Sequence, residues 1–231
     1  LLWITTSDDL LAFMVKDFDL LVQFQKAKGW FYVFASAVLF ASILGTRLRR
    51  IKELNESIVY QQNHDELTKL PNRRRLSEIV AQRIKRYPDR AFALISLDID
   101  DFASVNELMG YSVGDGVLLD LTKQLTKNLG LLDTLSRSID GFIITYDLSE
   151  RNQIQLNQSL NHLLSIVNHE RVIEDQTLFI TSSIGVSIYP KDGQTFSDLF
   201  KAADTAMHHL KGISKNSYNF YTEDYHKQRL D

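Results

Sequence analysis

One stretch decides the fold: Phe92-Ala-Leu-Ile-Ser-Leu-Asp98-Ile-Asp100-Asp-Phe102, an apolar run that ends abruptly in three acids. Such a run is typical of a strand that is buried on both of its faces. Asp98 and Asp100 are two residues apart, so their side chains point to the same side of a strand. Carboxylates in this position commonly hold a divalent metal ion against a phosphate. A structural strand followed by an Asp-rich turn or helix cap is the simpler alternative.

Composition excludes several classes of protein. The chain has 231 residues, a net charge of −3 and no Cys. The near-neutral charge argues against a nucleic-acid binder dominated by basic surface. The lack of Cys excludes disulfides, thiolate metal sites and a Cys nucleophile. Because the chain begins at Leu1 rather than Met, we expect a fragment or a processed product.

Residues 29–46 contain no charged side chain. A helix of that length spans about 27 Å, which is close to the thickness of the hydrocarbon core of a bilayer. Trp30 and Tyr32 lie at one end, where an aromatic belt would lie, and Arg47 and Arg50 follow the other end. We predict a membrane-spanning helix with its C-terminal side in the cytoplasm, although two preceding lysines weaken the charge argument. A buried core helix is the alternative.

Apolar residues at helical spacing also occur on both sides of this segment. Residues 1–28 are interpreted as an amphipathic remnant of an upstream region, which would be periplasmic if residues 29–46 cross the membrane. Residues 47–63 carry a narrow apolar stripe, as a short coiled coil would. Its members are Leu48, Ile51, Leu54 and Ile58. Two chains could pair along this stripe and pass a signal to the next domain, and an ordinary linker helix is the alternative.

Residues 64–221 have the composition of a soluble α/β domain in which helix and strand patterns alternate. A helix is predicted to end at about Tyr87, before Pro88, and a strand follows over 91–99. The other predicted elements are helices at 102–109, 112–128, 150–168 and 195–211, a hairpin of 132–137 and 142–146 that turns at Asp140-Gly141, and strands at 177–188 and 217–221. This order predicts a sheet flanked by helices.

Five segments, in this order, resemble motifs of the GGDEF family of diguanylate cyclases. The resemblance covers residues 63–221. They are Asp65-Glu-Leu-Thr-Lys-Leu-Pro-Asn-Arg-Arg74, Asp98-Ile-Asp-Asp-Phe102, Asn106-Glu-Leu-Met-Gly-Tyr-Ser-Val-Gly-Asp115, Ser183-Ile-Gly-Val186, and Ala203-Asp-Thr-Ala-Met207 with Lys211, Lys215 and Asn216. Each motif is weak alone, whereas the ordered set is specific.

The resemblance implies an α/β (α+β) fold with a central, mostly antiparallel sheet flanked by helices, as in nucleotidyl cyclases. It also implies cyclic di-GMP signalling in the bacterial cytoplasm, at the inner membrane if residues 29–46 span it. Active family members condense two GTP into cyclic di-GMP, with one GTP on each of two facing domains and two Mg²⁺ ions. The expected partner is therefore a second copy of the chain, the expected ligand is GTP, and the expected cofactor is Mg²⁺.

The same resemblance assigns the catalytic and metal-binding roles. Asp98 and Asp140 would be the catalytic metal ligands, and the Ile99 carbonyl would be a further ligand. Phe102 would lie at the turn that faces the phosphates.

Nucleotide binding is assigned in the same way. Asn106 and Asp115 would read the guanine edge, because an amide both donates and accepts and a carboxylate accepts from guanine N–H groups. Lys211 and Lys215 are four residues apart, so both could reach the triphosphate from one helical turn. Helix capping is the alternative role for the first pair, and a solvated face is the alternative for the lysines.

The signature hairpin departs from the family pattern. Gly-Gly-Asp/Glu-Glu-Phe is replaced by Ser138-Ile139-Asp140-Gly141-Phe142, and the segment between Asp133 and Phe142 is one residue short. Glycines there let the backbone take positive φ and approach the nucleotide. Positive φ is costly for Ile139, and its branched side chain would intrude. We therefore expect a degenerate regulatory or dimerising domain with weak or no GTP condensation. An active cyclase that tolerates this hairpin is the alternative.

Further differences bear on regulation. The product-inhibition motif of the family, R-x-x-D, is replaced by Gly130-Leu-Leu-Asp133, so feedback by cyclic di-GMP at this site is not expected. Ala103 replaces a lysine that usually follows the phenylalanine, which removes a positive charge near the phosphates. Residues 222–231 resemble a connector to an EAL phosphodiesterase domain, so we expect such a domain downstream. A third hypothesis assigns all signalling to residues 1–63 and no role to a nucleotide.

Overall fold

The computed structural model describes residues 18–211 and 214–224, and the chain divides into two compact units after Val59. Part of the predicted N-terminal amphipathic segment lies outside the described residues, including Leu10, Leu11, Phe13 and Met14. Residues 225–231 of the predicted C-terminal connector also lie outside them.

A single helix, α1 (Phe18–Asn63), accounts for the described part of the first unit. It joins without a break the segments that the sequence suggested as separate helices. An 18-residue stretch of it has a mean hydropathy of 1.6 and contains no buried residue, so its length and composition suit a membrane span. The predicted coiled-coil stripe is exposed as well. An exposed apolar surface of this extent is typical of a membrane-spanning or interaction surface.

The second unit is built on a five-stranded sheet. Its strands are β1 (Phe92–Ile99), β2 (Thr134–Arg137), β3 (Gly141–Asp147), β6 (Ser182–Tyr189) and β7 (Tyr218–Phe220). Their order is β2-β3-β1-β6-β7, with antiparallel neighbours except for the parallel pair β6 and β7. The apolar run that the sequence identified as the central strand is thus the middle strand, and its residues are buried almost throughout.

Helices cover both faces of this sheet, which confirms the predicted fold class. They are α2 (Arg73–Arg86), α3 (Phe102–Met109), α4 (Tyr111–Asn128), α5 (Gln153–Val167) and α6 (Phe196–Lys211). Helices α4 and α5 pack against the face that contains Leu97, and α2 and α6 pack against the face that contains Leu94. Because side chains alternate along a strand, Asp98 belongs to the face of Leu94.

The predicted strand over 177–188 is wrong in one respect, because the structure divides it. Strand β5 (Gln176–Phe179) leaves the main sheet and pairs with β4 (Glu170–Ile173), which the sequence did not predict. The turn between them places Glu174 and Asp175 in the left-handed region. Such turns usually use Asn or Gly, so this pair gave no hairpin signal.

A buried arginine closes the end of α5. Arg171 donates hydrogen bonds to the carbonyl oxygens of Ile166 and Val167, and to that of His169 at 3.0 Å. Its Nε atom also donates to Asp120 at 3.0 Å. These contacts satisfy carbonyls that the last helical turn leaves without partners, so Arg171 is a structural cap.

Candidate active site

Asp98 lies at the carboxyl end of β1. Its side chain is 15% exposed, and Lys211 Nζ donates a hydrogen bond to its Oδ2 atom. The Oδ1 atom is buried and accepts no hydrogen bond from the described residues. Burial raises the pKa of the Asp98 carboxyl, and nearby Asp140 and Asp100 also raise it, whereas Lys211 lowers it. Asp98 thus presents one buried oxygen that suits a cation.

A cleft of about 610 Å³ opens beside Asp98. Residues from distant parts of the sequence line it: Asp65, Asn72, Arg73, Arg137, the loop 138–141, Phe200, Asp204 and His208. The segment before α2 is held to strand β2 through Pro71, whose carbonyl accepts hydrogen bonds from Arg137 N at 3.0 Å and Ser136 Oγ at 2.7 Å. The first motif and the signature hairpin therefore meet at the same cleft.

The hairpin between β2 and β3 forms a compact loop of residues 138–141. The amide of Ser138 donates to the carbonyl of Gly141 at 3.0 Å. Neither Ser138 nor Ile139 has positive φ, and the Ile139 side chain is 85% exposed. The expected backbone strain at Ile139 is therefore absent, because the shorter loop takes a path that needs no left-handed residue. Its side chain does line the cleft.

Gly141 does not act as a turn residue, as the sequence suggested, but opens β3 opposite Asp98. A Cβ atom at this position would lie 2.0 Å from the carbonyl oxygen of Leu97. The two strands approach too closely for any side chain. The family's glutamate therefore has no room at position 141 in a hairpin of this length.

Arg137 is a site residue that the sequence reasoning missed. Its Nη1 atom donates hydrogen bonds to the carbonyl oxygens of Ser138 and of Gly141, the latter at 2.6 Å. Burial lowers the pKa of its guanidinium, whereas Asp65, Asp140 and Asp115 raise it. A cation directly before an altered hairpin was the available signal, since an arginine that is even partly buried usually has hydrogen-bond partners.

The residues assigned to the phosphate turn and the guanine edge come from two adjoining helices. Phe102 is buried at the start of α3, and Asn106 lies one turn later. Asp115 is in the first turns of α4, next to Gly114. A Cβ atom on Gly114 would lie 1.9 Å from Asn106 Oδ1, so the glycine makes room for the amide. Asn106 thus lies against the residue that precedes Asp115.

The two lysines lie at the same end of the sheet but bind different acids. Lys211 is the last residue of α6 and pairs with Asp98. Lys215 Nζ lies 2.6 Å from Asp101 Oδ2, and this hydrogen bond raises the pKa of Lys215. Both pairs lie at the edge where β1 ends. The lysines are therefore placed beside the acids, and a phosphate would compete with those acids for them.

The donor set fits a magnesium ion that binds through only one or two protein carboxylates. No cluster of three or more Asp, Glu or His side chains suited to a metal occurs within the described ranges. Asp98 offers a buried oxygen without a hydrogen-bond donor, and the negative charge of Asp140 acts on it. The amide of Ile99 donates to the Asp140 carbonyl at 3.2 Å, which keeps the two segments together. Mg²⁺ commonly binds through one or two carboxylates and completes its shell with water and substrate phosphates.

The segment Gly130–Asp133, which corresponds to the product-inhibition motif, is engaged inside the domain. The Asp133 carboxylate accepts hydrogen bonds from Gly130 N at 2.8 Å, Asp147 N at 2.9 Å and Arg151 Nη1 at 2.9 Å. Its side chain is 1% exposed. This carboxylate holds the loop before β2 to the end of β3 and has little surface left for a ligand.

Comparison with family models defines the class of this domain. Residues 62–217 match the family described as "Diguanylate cyclase, GGDEF domain". That segment contains the acidic end of β1, the hairpin 138–141, and both Lys211 and Lys215. The chain therefore belongs to the GGDEF domain family, and its second unit is a GGDEF domain of cyclic di-GMP signalling.

Individual relatives agree with this assignment. The chain is 33% identical over 183 residues to the bifunctional diguanylate cyclase/cyclic di-GMP phosphodiesterase MucR of Pseudomonas aeruginosa. The aligned segment covers 78% of this chain and 26% of MucR. It is 27% identical to the cyclic di-GMP phosphodiesterase NbdA of the same organism, over 76% of this chain and 22% of NbdA. The chain thus spans about a quarter of the length of these relatives.

Solved structures share the fold. The coiled coil and GGDEF domain of DgcB from Caulobacter crescentus, in complex with c-di-GMP, superimposes with a TM-score of 0.67 at 20% identity, over 80% of this chain and 98% of that one. A sensory box/GGDEF family protein from the same organism gives 0.62 at 28% identity, over 66% of this chain and 99% of that one.

Proposed function

We propose that this chain carries a degenerate GGDEF domain, which binds GTP weakly or not at all, condenses little or none of it, and acts as a regulatory or dimerising module. The observation that carries the proposal is the packing of Gly141 against the Leu97 carbonyl. It leaves no room for a carboxylate at the fourth position of the hairpin. Ile139 also presents an apolar side chain to the cleft where the family has glycine.

The proposed division of labour at the site follows from the donor set. Asp98 and Asp140, with the Ile99 carbonyl, would hold Mg²⁺, which when bound would steady the phosphates and the leaving group. Lys211 and Lys215 would exchange their carboxylate partners for the triphosphate. Such an exchange weakens binding, because each lysine gives up an existing ion pair.

The guanine end of the site completes this proposal. Asn106 and Asp115 would read the base, with Phe102 packed beneath the phosphate turn. In support, Asn106 lies against Gly114, directly before Asp115. An amide and a carboxylate side by side present the mixture of donor and acceptor atoms that a guanine edge requires.

We further propose the organisation of the whole chain. Residues 1–28 are the end of an upstream region, 29–46 a membrane span, 47–63 a coiled-coil linker, and 64–221 the GGDEF-like domain in the bacterial cytoplasm. Residues 222–231 would connect to a further domain of the EAL class. The exposed apolar surface of α1 supports the span and the pairing of two chains along the linker. The bifunctional name of MucR supports a downstream phosphodiesterase domain.

An active diguanylate cyclase is the second candidate. It is favoured by the survival of Asp98, Asp140, Asn106, Asp115, Lys211 and Lys215, and by the proximity of Asp140 to Asp98. In that case the short hairpin would hold Asp140 well enough for two domains to bring their GTP molecules together.

One experiment separates these candidates. The full chain in detergent micelles is titrated calorimetrically with GTP in the presence of Mg²⁺, and the same sample is examined for cyclic di-GMP by chromatography. Weak binding or none, without product, supports the degenerate domain. Product that disappears in an Asp98→Ala variant identifies an active cyclase and refutes the leading proposal. An Asp89→Ala variant, altered at an exposed acid outside the cleft, is the control and should retain the product.

A further inference from the structure

We propose that Arg137 is the positioning residue of the signature hairpin, and that it fixes the loop carrying Asp140 by binding both ends of that loop. The inference deepens the function proposed above and rests on the role given there to Asp140. It stands on contacts that join both ends of the loop.

The first step is the geometry of the loop. Arg137 ends β2, where its amide donates to the Pro71 carbonyl at 3.0 Å, so its main chain is fixed. Its Nη1 atom reaches the carbonyl oxygens of Ser138 and Gly141, the first and last residues of the loop. Ile139 and Asp140 lie between these two anchored carbonyls. One side chain therefore closes the loop.

The second step is the charge around this side chain. The half-buried guanidinium interacts electrostatically with three carboxylates, those of Asp65, Asp140 and Asp115. Two of these belong to the proposed metal and guanine contacts. The cation therefore attracts the carboxylate of Asp140, while its hydrogen bonds hold the residues at the two ends of the loop.

The third step is the choice of residue. An arginine presents several N–H donors in a rigid planar fork, whereas a lysine is a point charge on a flexible stem. Arg137 also packs over the ring of Phe142, with its Cζ atom 5.7 Å from the ring centre. A lysine would keep the positive charge but lose this fixed fork. The proposal therefore predicts that charge alone is not sufficient.

Hydrogen exchange tests the positioning directly. The full chain in detergent micelles is compared with Arg137→Lys and Arg137→Gln variants at two amides, Ser138 and Ile99, which donate to Gly141 and Asp140. We expect exchange at both amides to become about tenfold faster in both variants, since an anchoring hydrogen bond is lost. Unchanged exchange, or full rescue by lysine, overturns the proposal.

A matched control comes from Arg171, a buried arginine that likewise donates to several carbonyls. Arg171→Lys is expected to speed exchange at residues 166–171 and to leave Ser138 and Ile99 unchanged. If Arg171→Lys loosens the hairpin as much as Arg137→Lys does, the effect is general destabilisation, and the proposal is overturned.

Titration with Mg²⁺ and GTP supplies the second readout. Arg137→Lys is expected to weaken binding about tenfold in the wild-type background and to add no further loss in an Asp140→Asn background. Equal binding by wild type and Arg137→Lys overturns the link to Asp140. If the wild-type chain binds no Mg²⁺·GTP, the proposed function is limited to its non-binding form, and hydrogen exchange alone decides the role of Arg137.

Discussion

Two loops meet at the same edge of the sheet, and they are stabilised in opposite ways. The loop after β1 matches the family motif, and it contains Asp101 in the left-handed region, with φ at 54°. The hairpin 138–141 departs from the motif, yet it contains no residue with positive φ. The altered loop is thus the relaxed one, and the loop that keeps the family residues bears the unusual backbone.

The two loops also differ in what anchors them. In the first, the buried carboxylate of Asp100 accepts hydrogen bonds from Ser183 Oγ and Thr181 Oγ1, both at 2.7 Å. In the second, the cation of Arg137 donates to two backbone carbonyls. A change of sequence in the hairpin has therefore not left it unstructured. It has changed which side chains line the cleft.

The largest effect is expected at Gly141. Gly141→Ala places a Cβ atom 2.0 Å from the Leu97 carbonyl and should destabilise the full chain by about 3 kcal/mol, because two central strands must move apart. Chemical denaturation in detergent micelles measures the free energy of unfolding. Ile139→Ala, at an exposed position of the same loop, is the control and should change stability by less than about 0.5 kcal/mol. A loss below about 1 kcal/mol for Gly141→Ala would show that the strands tolerate the contact.

The next effect is expected at Asp100. Asp100→Ala removes the acceptor for Thr181, Ser183 and the Asn216 amide, and should cost about 2 kcal/mol because buried donors lose their partner. Denaturation under the same conditions provides the value. Asp101→Asn is the matched control, because asparagine tolerates the left-handed backbone at position 101 and the exposed Asp101–Lys215 pair should contribute little to stability. Similar losses in the two variants would contradict the assignment of the anchor to Asp100.

A smaller, pH-dependent effect is expected at Asp98, because Lys211 offsets part of the burial cost. Burial raises the folded-state pKa of Asp98 above its unfolded value. The charged form therefore destabilises the fold at neutral pH, and this penalty disappears as the pH falls through the folded-state pKa toward the unfolded-state pKa.

Asp98→Asn removes that ionisation. We expect the stability of the variant minus that of wild type to be larger at pH 7 than near pH 4. The reason is that only wild type gains the stabilisation that comes from protonating Asp98 in this window. Thermal denaturation of both proteins across this range tests the sign. A difference that grows as the pH falls would mean that the ion pair with Lys211 outweighs burial.

The smallest effect is expected at Ile139. Ile139→Gly should lower stability by about 0.5 kcal/mol, because the position needs no positive φ and glycine only adds freedom to the unfolded chain. It should also leave GTP turnover unchanged, because Gly141 and the short loop remain. Denaturation and product chromatography check both statements. A marked gain of turnover would identify the isoleucine side chain as the main obstacle.

Restoring the family hairpin requires a change of length. Ser138→Gly, Ile139→Gly and Gly141→Glu, combined with one inserted residue before them, rebuild the family pattern. The same three substitutions without the insertion should fail to fold, because a glutamate at position 141 meets the Leu97 carbonyl. A stable protein from the short version would show that the loop can move away from β1.

The sequence by itself determined the fold class, the central strand and the family. Apolar runs and helical spacing are local, so β1 and the short helix that ends before Gly110 were predicted with almost the observed bounds. The motifs also placed Asp98 and Lys211 at one site, and the structure brings these two together. Each of these predictions depends on residues within a short window or on an ordered set of motifs.

The tertiary structure alone decided what fills the space around the hairpin. The close approach of Gly141 to Leu97 depends on the register of two strands that are 44 residues apart in the chain. The hydrogen bonds of Arg137 to Ser138 and Gly141 depend on the path of the loop between those strands. No local pattern specifies such distances. The residue types suggested an altered hairpin, whereas the packing showed that position 141 lies against the Leu97 carbonyl.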